Sequence, residues 1–231
     1  YWEISIKDVI RTIDGPSVLQ RCFNPAFNPT LAPDNAFCQL ITRGSATGTI
    51  TEVSTSFQNL ASLETSGIDV QVMHAVDIGP GKLQTHASVG WLDKYEEQSL
   101  PGDAFLDFAG SIGGPANRVA DNDVHPEWKV SLTPRYVFGP ASVALRWRYL
   151  SSMDARQVVL NPSATTPGVP SVSYFDVFGT YELSDRMKLR ASVSNILDED
   201  PPEVSGQIGQ TRIGTYDVLG PTFTIGFQAS F

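Results

Sequence analysis

From Thr222 to Phe231 apolar and polar side chains alternate without a break. Phe223, Ile225, Phe227, Ala229 and Phe231 share one side, and Thr222, Thr224, Gly226, Gln228 and Ser230 share the other. Only an extended chain, with its period of two, sorts side chains this way, so the segment reads as a strand with two chemically different faces. Val143, Leu145, Trp147 and Tyr149 oppose Ala144, Arg146 and Arg148 in the same manner. Trp128, Val130, Leu132, Pro134 and Tyr136 oppose Lys129, Ser131, Thr133 and Arg135. Looser alternation runs through Trp2–Ile6, Ile68–Val76, Leu83–Trp91, Phe175–Leu183 and Leu189–Val193. His74 falls on the apolar side of its segment, which suits a position near a membrane rim. Helical periodicity is confined to a short turn near Ser17–Phe23. The chain is therefore expected to be all-β, with about eight strands.

The connections constrain the architecture further. Gly79-Pro80-Gly81, Gly139-Pro140-Ala141 and Ser184-Asp185-Arg186 are tight turns. Between them lie long connections at 11–61, 95–125, 155–171 and 198–220. Short and long alternate strictly, so every long loop emerges on one side. That asymmetry belongs to an antiparallel up-and-down transmembrane β-barrel, with short turns at one rim and long loops at the other. A spanning strand needs only about 9–11 residues, half of them apolar. A mean hydropathy of −0.10 is thus compatible with a barrel as well as with a soluble protein, and no apolar run reaches the roughly 18 residues of a spanning helix.

Aromatic residues fit two interfacial belts about 25 Å apart. Trp2, Tyr136, Phe138, Tyr181 and Phe231 fall on the turn side, and Trp91, Trp128, Tyr149, Phe175 and Phe223 on the loop side. Phe223, Ile225, Phe227 and Phe231 are expected to face lipid. The opposite face carries Lys129, Arg135, Arg146, Arg148, Lys188 and Arg190. Such groups need water or partners, because an unpaired buried charge costs several kcal/mol; a wide, wet or plugged lumen supplies both. Two alternatives stay open on the residues alone: a complete eight-stranded outer-membrane barrel, and a soluble all-β sandwich acting as a binding module.

Several function classes fall away. A net charge of −9 argues against nucleic acid, which is held by clustered Lys and Arg. His74, His86 and His125 lack metal-ligand spacing, and Gly110–Gly114 opens no helix that would cradle a phosphate. Acidic loop residues such as Asp93, Glu96, Glu97, Asp103 and Asp107 read as a solvated surface. With no nucleophile–base constellation, neither catalysis nor a cofactor is expected. Cys22 and Cys38, in a Pro/Asn-rich stretch without metal spacing, read as a loop-closing disulfide of an oxidising compartment, two unpaired thiols being the alternative. Ligand capture, if it occurs, falls to loop residues with aromatic or charged tips: Tyr95, Arg118, Asp121, His125 and Arg156. Loops without any ligand contact remain the other reading.

Three stretches carry a family resemblance. Leu63–Val72 (LETSGIDVQV), Ser192–Pro202 (SVSNILDEDPP) and Thr215–Phe231 (TYDVLGPTFTIGFQASF) resemble the C-terminal barrel of TonB-dependent outer-membrane receptors. The loop with Cys22 and Cys38 is also of a kind seen in many members, and the resemblance covers essentially residues 1–231. It implies a plugged barrel of about 22 strands, of which these eight would be the last third. It also implies residence in the bacterial outer membrane and external loops that capture a scarce nutrient: a ferric siderophore, a cobalamin or a carbohydrate. The inner-membrane TonB complex would act through an N-terminal plug that lies outside this chain. A third of a barrel has two unpaired edges, so the isolated piece is expected to self-associate or to require detergent.

Overall fold

The computed structural model describes residues 1–55, 57–113, 124–204 and 211–230. Eight long strands form one antiparallel meander: β1 (Trp2–Thr12), β2 (Phe57–Ile78), β3 (Gly81–Gln98), β4 (Trp128–Phe138), β5 (Ala141–Leu150), β6 (Val172–Ser184), β7 (Met187–Ser194) and β8 (Thr222–Ala229). Their spatial order is their chain order, so each strand lies beside its predecessor. The three expected turns join β2 to β3, β4 to β5 and β6 to β7. Gly79 and Gly139 take φ of 56° and 53° at the first two of these, the left-handed region that a primed hairpin turn demands at its first position.

Register aligns the apolar faces into one band. Trp91, Val89 and Ala87 stand opposite Trp128, Val130 and Leu132; Val130 and Leu132 stand opposite Tyr149 and Trp147. The band continues through Trp147–Phe175 and Leu145–Val177, then Val177–Val193. It ends with Val193, Ala191 and Leu189 beside Phe223, Ile225 and Phe227. A one-residue slip anywhere would have thrown a whole row onto the other face, so the unbroken band shows that alternation fixes the pairing. Among the described residues nothing covers it at its β8 end: Ile225 is 79% and Phe227 61% exposed. A soluble sandwich buries such a face against a second sheet, and this single meander is not a sandwich. Among the described residues β1 and β8 do not pair, and they form the two open edges of the sheet. Among the described residues the sheet is not closed, as a part of a larger barrel requires.

Five of the six basic residues on the opposite face, all but Lys129, have side-chain partners among the described residues. Arg135 donates to Ser142 Oγ, which shares a hydrogen bond with Thr180. Lys188 meets Glu182 at 3.1 Å, and Arg190 donates to Gln228 Oε1. Arg146 and Arg148 converge on one buried aspartate, described below.

The ends of the first three strands differ from the sequence expectation. β1 continues to Thr12, β2 starts at Phe57 rather than near Ile68, and β3 runs to Gln98. In sequence, residues 57–66 place apolar side chains in both alternating sets, with Asn59 and Thr65 among Phe57, Ala61 and Leu63 and with Leu60 among Gln58, Ser62 and Glu64, so alternation does not mark them as strand. Trp2, expected in the turn-side belt, is also placed differently. A Cβ on Gly67 would lie 2.7 Å from Trp2 Cζ2 and 2.5 Å from the Trp91 carbonyl oxygen. Trp2 thus sits at the level of Trp91, near the loop-side rim, because periodicity does not say at which height a strand meets its neighbour. Replacing Gly67 with Ala should cost about 1–3 kcal/mol by forcing the indole and the ladder apart. Urea titration of the variant against the parent would check it, and unchanged stability would refute this packing.

Residues 5–63 and 98–105 make up a second compact unit. Here the long first connection is folded: helix α1 (Gly15–Phe23) is capped by Asp14, whose carboxylate accepts the Ser17 N–H, and has Pro16 in its first turn. Ile13, Val18 and Leu100 form its small core, with Phe37, Leu40, Ile41 and Val53 against them. Cys22 and Cys38 are joined in a disulfide. Beside it the Arg21 guanidinium lies over Phe27 and Phe37 and pairs with Asp103. Alkylation of the unreduced protein should label neither cysteine; a mass increase for two labelled thiols would refute the bond in solution.

Candidate functional site

The outer connections of the main sheet fold on one another. Ser111–Ile112 pairs antiparallel with Val124–His125 and parallel with Asp154–Ala155. Ile112 anchors this small sheet in a loop core with Met153, Val169, Val172, Tyr174, Val204 and Tyr216. The end of β3 joins the same region by pairing Glu96 and Glu97 with Asp107 and Leu106. The Asp107 carboxylate accepts the N–H groups of Tyr95 and Ala109, which fixes the turn that follows.

This arrangement places three of the expected ligand contacts on one platform. The Tyr95 ring stacks on His125 with centroids 3.9 Å apart. Arg156, next in sequence to the pairing Ala155, meets Glu97 at 3.3 Å, and its guanidinium lies 3.6 Å from the Phe108 ring centre. Phe108 is fully buried, so it holds that guanidinium on a rigid base. Arg118 and Asp121 lie outside the described residues, as does Phe231.

Beside the Tyr95–His125 stack opens a cleft of about 300 Å³, lined among others by Trp2, Asp69, Gly90 and Lys129. Gly90 leaves room for a carboxylate, since a Cβ there would lie 3.1 Å from Asp69 Oδ1. Trp2 Nε1 is buried and, among the described residues, has no hydrogen-bond partner. Sequence reasoning missed Asp69 and Trp2 as site residues because only cross-strand register brings them beside Lys129.

Asp176 was likewise missed. It is fully buried and accepts from Arg146 Nε at 2.8 Å, from Arg148 Nε at 2.9 Å and Nη2 at 3.1 Å, and from the Asn195 N–H at 2.9 Å. Arg148 also forks onto Asp217 in the last connection, at 3.1 and 2.5 Å. Asn195, with φ of 51°, closes the start of that connection through reciprocal bonds with Glu199. The wall and the final outer loop are thereby tied at one charge-balanced node. Nearby, burial pushes the Tyr216 phenol up to about 12, with Tyr174 adding to the effect. The one sequence sign of this node is an acid, Asp176, on the polar face of a strand whose neighbour carries an Arg-x-Arg pair.

An uncovered apolar band, a polar opposite face and elaborate loops at one rim define the wall of an outer-membrane-type β-barrel. The model of the TonB dependent receptor-like, beta-barrel family matches residues 1–196, and the chain belongs to that family, whose members are outer-membrane proteins of Gram-negative bacteria. Among solved structures it is similar to the closed form of the ferric-catecholate import receptor Fiu from E. coli K12, at 17% identity and a TM-score of 0.44. That similarity covers 83% of this chain and 23% of the receptor, so the chain spans about a quarter of that receptor's length. No curated protein matches the sequence.

Proposed function

We propose that residues 1–231 form the last third of the barrel of an outer-membrane receptor that imports a scarce nutrient, a ferric siderophore, a cobalamin or a carbohydrate, under the control of the TonB complex. The carrying observation is the two-faced meander with its folded loops at one rim: lipid meets the apolar band, and ligand meets the loops. Family membership over residues 1–196 supports the same reading. Fourteen further strands or so would close the barrel between β8 and β1, consistent with the roughly 22 strands of outer-membrane transporters. The plug that contacts TonB belongs to another part of the whole protein. Tyr95, His125 and Arg156 are the wall's ligand contacts, with Arg118 and Asp121 in the adjoining loop. Phe223, Ile225, Phe227 and Phe231 face lipid. The role is one of binding and passage, without catalysis.

The test uses the full-length receptor in its own host. Membrane fractionation should recover it with the outer membrane, and growth that depends on it under nutrient limitation should vanish when TonB is deleted. Receptor-dependent growth that persists without TonB would refute the reading.

A further inference from the structure

On β4–β7 the polar face carries a row of cations that only register makes visible. Lys129 lies at the level of Leu150, and Arg148 at the level of Ser131 and Tyr174. Arg146 stands opposite Asp176, and Arg135 opposite Ala144. Arg190 stands opposite Thr180, the partner of Ser142, and Lys188 opposite Glu182. These are six successive levels of one face, with one cation at each, from the loop rim to the turn rim. At two residues per level and about 3.3 Å per residue, the row is about 33 Å long. The acids on this face of β4–β7 are Asp176 and Glu182. Asp176 is taken by Arg146 and Arg148, and Glu182 by Lys188. Arg135 and Arg190 are held by neutral partners, Ser142 and Gln228, and Lys129 has no ion pair among the described residues. The face thus keeps a positive surplus, although the chain as a whole carries a net charge of −9.

We propose that this row docks a strip of Asp and Glu side chains on the plug; this rests on the reading above that a plug fills the lumen, and adds which part of the wall holds it and with what charge. A surface that covers the row takes its surplus cations out of water. Burying a charge without a partner costs several kcal/mol, so a neutral or basic covering surface is disfavoured and one that brings carboxylates is favoured. The length of the row points to a folded segment, because a small solute meets one or two levels at a time. The cations are also set in place beforehand. Arg135 donates from Nε and Nη2 to Ser142 Oγ at 3.2 and 2.8 Å, and Arg190 from Nη2 to Gln228 Oε1 at 2.7 Å. Each guanidinium keeps further N–H donors for a carboxylate, and little side-chain freedom is left to lose on docking.

Carbodiimide coupling of the purified full-length receptor, read by peptide mass mapping, tests this, because the reagent joins an amine to a carboxylate only where the two touch. Lys129 supplies one amine in the parent. Arg135→Lys and Arg190→Lys supply an amine at two further levels with the charge kept. At least two of the three positions should join to Asp- or Glu-bearing peptides of the plug, and Lys129→Gln should abolish the first of these links. Lys188 and Glu182, 3.1 Å apart on the same face, should couple in every sample and report that the reagent reaches it. Links to the plug at fewer than two positions overturn the proposal, and so do links confined to the wall, for instance from Lys129 to Asp69 of the same cleft. Either result leaves the uptake reading intact, whereas growth independent of TonB refutes the uptake reading itself.

Discussion

Asp176→Ala is expected to lower the stability of the receptor by about 3 kcal/mol, the lower end of what breaking a buried charge network costs. The substitution strips the shared acceptor from Arg146, Arg148 and the Asn195 N–H at once, and leaves two cations side by side on one face of β5, two residues apart. The lower end applies because the arginine side chains are 37% and 30% exposed, so water recovers part of the loss. Asp217→Ala removes only the outer, partly exposed partner of Arg148 and should cost about 1 kcal/mol or less. Urea titration of the full receptor in lipid bilayers measures both. Equal losses for the two variants would show that the buried node is not what holds this part of the wall.

Ile225→Arg or Phe227→Arg should cost about 2–4 kcal/mol in the same assay, provided the site lies near the bilayer midplane. Both residues sit in the apolar band, beside Ala191 and Leu189 of β7. Thr224→Arg and Gln228→Arg place the same charge on the polar face. They should be far better tolerated, since Gln228 already accepts from Arg190 there. The contrast between adjacent positions is the informative quantity. Equal sensitivity of the two faces would reverse or abolish the assignment of lipid to the Phe223–Phe227 side.

How much of this was legible in the sequence differs from strand to strand. β4, β5 and β8 announce themselves because one face is almost wholly apolar, and Gly-Pro turns bound β5 and the loops' far rim. The outer halves of β2 and β3 do not, because Leu60, Asn59 and Thr65 break the alternation of the first, and Asp93 to Gln98 of the second is mostly polar on both faces. The disulfide was readable from an isolated pair of cysteines. The platform of Tyr95, His125 and Arg156 was readable as residue types but not as a place, since two-residue strands at 111–112, 124–125 and 154–155 carry no periodicity. Asp69, Trp2 and Asp176 were invisible for a related reason. Each is ordinary in its own segment and gains meaning only from what register sets beside it.

The neighbour-after-neighbour order of the sheet also bears on how the chain reaches its structure. Every strand pairs with the one just made, so no pairing in the meander waits for a distant segment to arrive. The tight turns make three of the hairpins local events, and local contacts form fast. The long outer connections slow this little, since each doubling of a loop adds only about 0.6 kcal/mol of closure entropy. The wall can thus grow by successive addition of hairpins, and insertions in the outer loops should change folding rate far less than a lengthened turn at Gly79 or Gly139 would change register. Variation in what the loops hold is thereby kinetically cheap, while the turns at the opposite rim are bound to stay short.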